Sequence, residues 1–190
     1  MTCARRRHSW RRAAAVTLTL LAALAQAGGE DESFMPKGGR TLLIESLGAH
    51  PKIEEFRQIA SARRDEAQWV AFIGARAVPA DERGKATLAA YLAVNMPLPA
   101  DKLQAARAAD LAGVLPRDGR DLAWNQCPFC HSLFTSHLTQ NRDLNGWRAI
   151  FLSPFHREMK MTAQEREEFA RYSAINMPMK VDDVPSELRF

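Results

Sequence analysis

The sequence predicts an all-α fold, and three features carry that expectation. An internal repeat twice places a tryptophan at the head of an amphipathic stretch, at Trp69 and at Trp147. Each stretch leads to a second helical segment that opens on a capping residue, Asp81 or Thr162, and closes on Asn-Met-Pro. The run Gly119-Arg120-Asp121-Leu122-Ala123-Trp124, just before a cysteine pair, opens like a helix and lacks the β-branched residues of a strand.

Residues 1–27 read as a secretory signal peptide. Arg5, Arg6, Arg7, Arg11 and Arg12 make its basic start, and Ala13 to Leu24 an apolar core too short to span a bilayer comfortably. Ala25-Gln26-Ala27 is a small-x-small cleavage site, so export to the periplasm is expected. The chain has a formal net charge of +4; five arginines and no acid lie in residues 1–27, which leaves −1 on the remainder. The basic balance thus belongs to the address, and nucleic-acid binding is not expected. Nothing after residue 27 is long and apolar enough to cross a membrane, so no span is expected once the signal is removed.

Residues 28–40, with Glu30-Asp31-Glu32-Ser33 and Pro36-Lys37-Gly38-Gly39, read as a flexible N-terminus. Residues 41–98 hold the first copy of the repeat, 99–112 a helical linker, and 113–190 the second copy. Asp81 lies sixteen positions before Pro97, and Thr162 sixteen before Pro178. From tryptophan to cap the spacing is twelve in the first copy and fifteen in the second, so the second loop carries three extra residues. Acids in the first turn suit the helix dipole, and Thr162 with Glu165 predicts a capping box.

Only the second copy contains Cys127-Pro128-Phe129-Cys130-His131, a Cys-x-x-Cys-His pattern that reads as c-type haem attachment. Two thiols on one turn can each form a thioether to a porphyrin vinyl group, and the adjacent imidazole can bind iron from the proximal side. Cys3 leaves with the signal, so Cys127 and Cys130 are the whole thiol content of the exported chain. A thiol–disulfide pair is the rival reading, but it needs a βαβ setting; a zinc site would need a second ligand pair.

With those residues in view, the second copy resembles the c-type cytochromes, and in particular the cytochrome domains and subunits that serve periplasmic dehydrogenases such as sulfite dehydrogenase. The resemblance covers roughly residues 113–179. The first copy is similar only to the second half of such a domain, with Ala49-His50-Pro51-Lys52 where the cysteines would stand. It looks like a haemless, degenerate repeat. Its value is as an internal control: features present in both copies are structural, and features of the second alone are candidates for haem chemistry.

The resemblance implies one covalent haem c held by Cys127 and Cys130, with His131 as the proximal iron ligand. For the distal position Met159 is the expected ligand, with His156, in the same lengthened loop, and Met161 as alternatives. Met177 matches Met96 and reads as helix-end packing; Met179 falls after the helix-ending proline. His137 reads as a surface or propionate-facing residue. Phe129, Leu133, Phe134, Leu138, Trp147, Ile150, Phe151 and Phe155 are the expected apolar wall. Arg142, Arg148 and Arg157 are solvated or propionate-pairing. The expected function is single-electron transfer between a periplasmic dehydrogenase or other oxidoreductase partner and a downstream acceptor, without enzymatic chemistry of its own. A haem enzyme or gas-binding protein with an open sixth site is the alternative, beside the thiol oxidoreductase.

Overall fold

Capping chemistry sets where the helices begin. In the computed structural model, which describes residues 32–190, they are α1 (Gly39–Ser46), α2 (Ile53–Ala60), α3 (Glu66–Gly74), α4 (Glu82–Asn95), α5 (Ala100–Ala105), α6 (Gly119–Gln126), α7 (Leu144–Ala149), α8 (Pro154–Arg157) and α9 (Ala163–Asn176). No strand is present among the described residues, as the all-α expectation requires. The expected signal peptide, residues 1–27, lies outside them. The Asp81 carboxylate accepts from the Gly84 N–H at 2.8 Å to start α4, and Thr162 with Glu165 closes the capping box of α9. Asp65 and Asp143 cap the two tryptophan helices, α3 and α7.

The long helices α4 and α9 pack on each other at the centre, with α1 and α3 against α4 and α6 and α7 against α9. Across this seam the contacts come in reciprocal pairs. The Tyr91 hydroxyl donates to the Pro116 carbonyl at 2.9 Å, and the Tyr172 hydroxyl to the Pro36 carbonyl at 2.7 Å. The Arg40 guanidinium donates to Asp121 at 2.8 Å, and that of Arg120 to the Thr41 hydroxyl at 3.0 Å. The Asn95 amide reaches Glu168 at 3.2 Å, and the Asn176 amide reaches Thr87 at 3.0 Å. Met35 packs into the core of the second half, while Leu115 packs into the core of the first. Each half therefore receives its partner's leading segment.

Glycine permits this. A Cβ on Gly39 would lie 2.1 Å from the Tyr91 Cβ, and one on Gly119 would lie 2.0 Å from the Tyr172 Cβ. The backbone of α1 thus rests directly on α4, and that of α6 on α9.

Three sequence expectations change. The flexible N-terminus does not extend to residue 40, because Met35, Gly38 and Gly39 are buried and Pro36 is held by Tyr172. The linker is helical only over Ala100–Ala105, and its Ala106 and Leu111 belong to the core of the first half. The first copy is also more complete than half a domain: α1 occupies the place of α6, and α2 that of the turn at 134–138. Leu98 N–H donates to Ala60 O just as Met179 N–H donates to Leu138 O, both at 2.8 Å. Residues 113–190 are consequently not a self-sufficient domain, and Ser33–Phe190 form one compact unit.

Glu168 is 2 % exposed at the seam. Burial, reinforced by the neighbouring Asp118 carboxylate, pushes its carboxyl up to about 8. The folded chain then holds that proton more tightly than the unfolded chain. Its contribution is complete below the ordinary value of 4.5 and is lost as pH rises towards 8. Urea unfolding between about pH 5 and pH 8 should show stability declining, and Glu168→Gln should flatten the decline; an unchanged slope would assign it to another group. Gly119→Ala should cost about 1–3 kcal/mol through overpacking. Gly74→Ala, whose Cβ meets nothing within 4 Å, should gain up to about 1 kcal/mol from helix propensity. Chemical denaturation of both variants checks the pair.

Candidate functional site

The second half departs from the first where chemistry-bearing residues replace apolar ones. Helix α6 is started by a capping box between Asp118 and Asp121 and ends at Gln126. Pro128, which cannot donate to a continuing helix, falls in the 3-10 turn Cys127–Phe129 that follows. This turn buries Cys127 and leaves Cys130 and His131 exposed. Residues 134–138 then form a single π-helical turn, closed by Thr139 N–H donating to Phe134 O at 3.1 Å. Such turns often accompany functional sites. Here it directs His137 and Leu138 inward.

His137 is a correction. The polar surroundings suggested a surface residue, yet it is 1 % exposed, with its ring against Trp147 and Phe169 at centroid separations of 5.1 and 5.2 Å. The Ser173 hydroxyl donates to Phe169 O at 2.7 Å, so it accepts from His137 Nε2–H at 2.8 Å. Burial holds the imidazole down at about 3, so it is neutral at neutral pH. Nδ1 is left as a bare acceptor, and Trp147 Nε1 is a buried donor; neither has a partner among the described residues. At the places equivalent to His137 and Ser173 the first half has Ile59 and Leu92, both buried in its core, whereas the Trp69 Nε1 is unpartnered as that of Trp147 is. That apolar-to-polar exchange was the available sequence signal, and it required the α2 equivalence to be seen.

Helix α7 buries Trp147, and the extra loop residues form the one-turn helix α8. Ser153 caps α8, with its hydroxyl oxygen accepting from His156 N–H at 3.4 Å and standing 3.0 Å from His156 Nδ1. The His156 ring faces that of His131, with centroids 5.9 Å apart and planes at 71°.

These elements enclose a cavity of about 570 Å³, within the usual span for cofactor sites. Cys127, Cys130, His131, His156 and Met159 all line it, together with His137, Trp147, Ile150, Phe151, Phe155 and Phe169. At the positions equivalent to Cys127, His137, Phe151 and Phe169 the first half has Leu47, Ile59, Ile73 and Leu88, all buried in its core. No family model, curated protein or solved structure matches the chain.

The expected residues thus converge in large part. Of the eight residues expected as the apolar wall, Trp147, Ile150, Phe151 and Phe155 line the cavity; Leu133, Phe134 and Leu138 pack in the core of the second half instead, and Phe129 is 82 % exposed. Met161 is buried in the core beside the start of α9, and Met177 is buried at its end, as packing requires. Arg148 is paired with Glu167 at 2.6 Å. The guanidinium of Arg142 lies over the Trp147 ring at 5.7 Å and is the basic side chain on the cavity wall.

Both cysteines carry free thiols, and burial pushes that of Cys127 up to about 12. A disulfide oxidoreductase needs the opposite shift and a sheet to mount the pair on. With its thiols free, the folded protein at about pH 8 should be alkylated by iodoacetamide at Cys130 first, and at Cys127 only on unfolding. Peptide mass mapping reads the order.

Proposed function

We propose that this chain is a monohaem c-type electron carrier of the periplasm, with the cofactor in the cavity of the second half. One observation carries the reading: Cys127, Cys130 and His131 open onto a single cavity, whereas the first half has buried aliphatic core residues, Leu47, Ile59, Ile73 and Leu88, at positions equivalent to Cys127, His137, Phe151 and Phe169 of that cavity. The wall fits such a group. It combines large apolar side chains, among them Phe155 at 89 % exposure, with the unpartnered acceptor His137 Nδ1, which has no polar counterpart in the first half. The residues have the right chemistry for a flat macrocycle with a polar edge.

Cys127 and Cys130 would each add sulfur and hydrogen across a vinyl group, forming two thioethers without net oxidation. His131 would hold the iron through a ring nitrogen, and His156 or Met159, both on the wall, would supply a further ligand. Haem c, when bound, supplies an iron that accepts and releases one electron. Trp147, Phe151 and Phe169 keep water from one side of the cavity, which tunes the potential. Phe129 and Leu152, both exposed, leave apolar surface near the cysteine turn and α8, where a periplasmic dehydrogenase and a downstream acceptor could dock in turn. The paired imidazoles and the raised Cys127 thiol weigh against the open-site and thiol-exchange alternatives.

The test is production of the full chain with its export signal in a host that attaches haem outside the cytoplasm. The expected product is coloured, gains the mass of one haem, and keeps peroxidase staining on a denaturing gel. Cys127→Ala with Cys130→Ala should abolish the stain. A colourless product of bare polypeptide mass would overturn the proposal.

A further inference from the structure

Resting on the haem reading above, we propose that His156 is the second axial ligand, opposite His131, so that the iron is held by two imidazoles and Met159 packs as a side chain of the wall. Two imidazoles on opposite sides of one metal place their ligating nitrogens about 4 Å apart, at about 2 Å per bond. Adding the radii of two five-membered rings gives a centroid separation close to the 5.9 Å found between His131 and His156. The two rings already stand at about that separation, with their planes at 71° to each other.

The surroundings of His156 are those of an oriented ligand. A metal-bound imidazole hands its other N–H to an oxygen acceptor, which fixes the tautomer and the ring direction. Ser153 Oγ stands 3.0 Å from Nδ1 and can take that proton, leaving the Nε2 lone pair free. The same hydroxyl caps α8, and Pro154 occupies the first turn, so the ring is set on a short helix with a fixed start. The Arg157 guanidinium ties back to the Leu152 carbonyl at 3.1 Å and holds the loop closed. All of this lies in the loop between Trp147 and Thr162, which is three residues longer than its counterpart in the first half.

Met159 is placed differently. Its carbonyl accepts from Met161 N–H at 2.8 Å and from the Arg166 guanidinium at 3.3 Å, which fixes the backbone just before α9. Its side chain is half-buried against the core cluster of the second half. It behaves as the packing link between the loop and that core. Two imidazoles give low-spin iron at a lower potential than a thioether would, which places the carrier among low-potential couples and leaves no open position for a gas or peroxide.

The experiment uses the purified haem-loaded full chain and reads the ferric absorption and magnetic circular dichroism spectra and the midpoint potential. The wild type should be low-spin without a thioether-to-iron charge-transfer band. Met159→Leu should stay low-spin, where His156→Ala does not. His156→Ala should turn high-spin and return to low-spin on adding free imidazole, and His156→Met should shift the potential upward. A thioether band in the wild type would overturn the assignment while leaving the haem reading intact. So would loss of low-spin iron in Met159→Leu but not in His156→Ala, or its persistence in both variants. A colourless wild type would instead remove the haem reading beneath it.

Discussion

The structure depends on the crossed hold between its halves: Tyr91 grips the segment ahead of α6, and Tyr172 grips the segment ahead of α1. Each tyrosine does two things at once. Its Cβ lies against the glycine that opens the flanking helix of its own half, and its hydroxyl bonds across to the other half. A buried hydrogen bond of this kind contributes about 1 kcal/mol net. The close backbone approach around it excludes any side chain larger than hydrogen, which makes the seam specific as well as stable.

The same two helices that form the seam also position the site. Along α9, Glu168, Tyr172 and Asn176 sit four residues apart and face the first half, while Phe169 and Ser173 follow on the neighbouring stripe and face the cavity side. Helix α6 starts against Tyr172 and ends at Gln126, just before Cys127, so its register fixes where the two thiols and His131 emerge. The first half is therefore part of the site's support without lining it. Its own core has Leu47, Ile59, Ile73 and Leu88 at positions equivalent to residues that line the cavity in the second half.

What was legible in the sequence was local. The caps at Asp81 and Thr162, the capping box at Glu165, the tryptophan helices and the Asn-Met-Pro ends all follow from short-range rules, and all are present. The cysteine turn with His131, and the lengthened loop bearing His156 and Met159, were readable for the same reason. What was not legible depended on distance along the chain. Tyr172 and Pro36 are 136 positions apart, and no periodicity announces that residues 35–39 are fixed rather than loose. His137 was misread because a π-helical turn rotated a residue of a polar stretch into the core. The completeness of the first half was readable in principle, since Pro36-Lys37-Gly38-Gly39-Arg40-Thr41-Leu42 and Pro116-Arg117-Asp118-Gly119-Arg120-Asp121-Leu122 share Pro, a basic residue, Gly, Arg and Leu at the same spacing.

The exchange of leading segments has a topological consequence. The connection between the halves is exposed at residues 107–110. Cutting it there would leave Leu115 and Pro116 seated on one piece and Met35 and Pro36 on the other, each belonging by covalent chain to the opposite partner. The two pieces would stay clasped like linked hands, so continuity of the polypeptide is not what unites them.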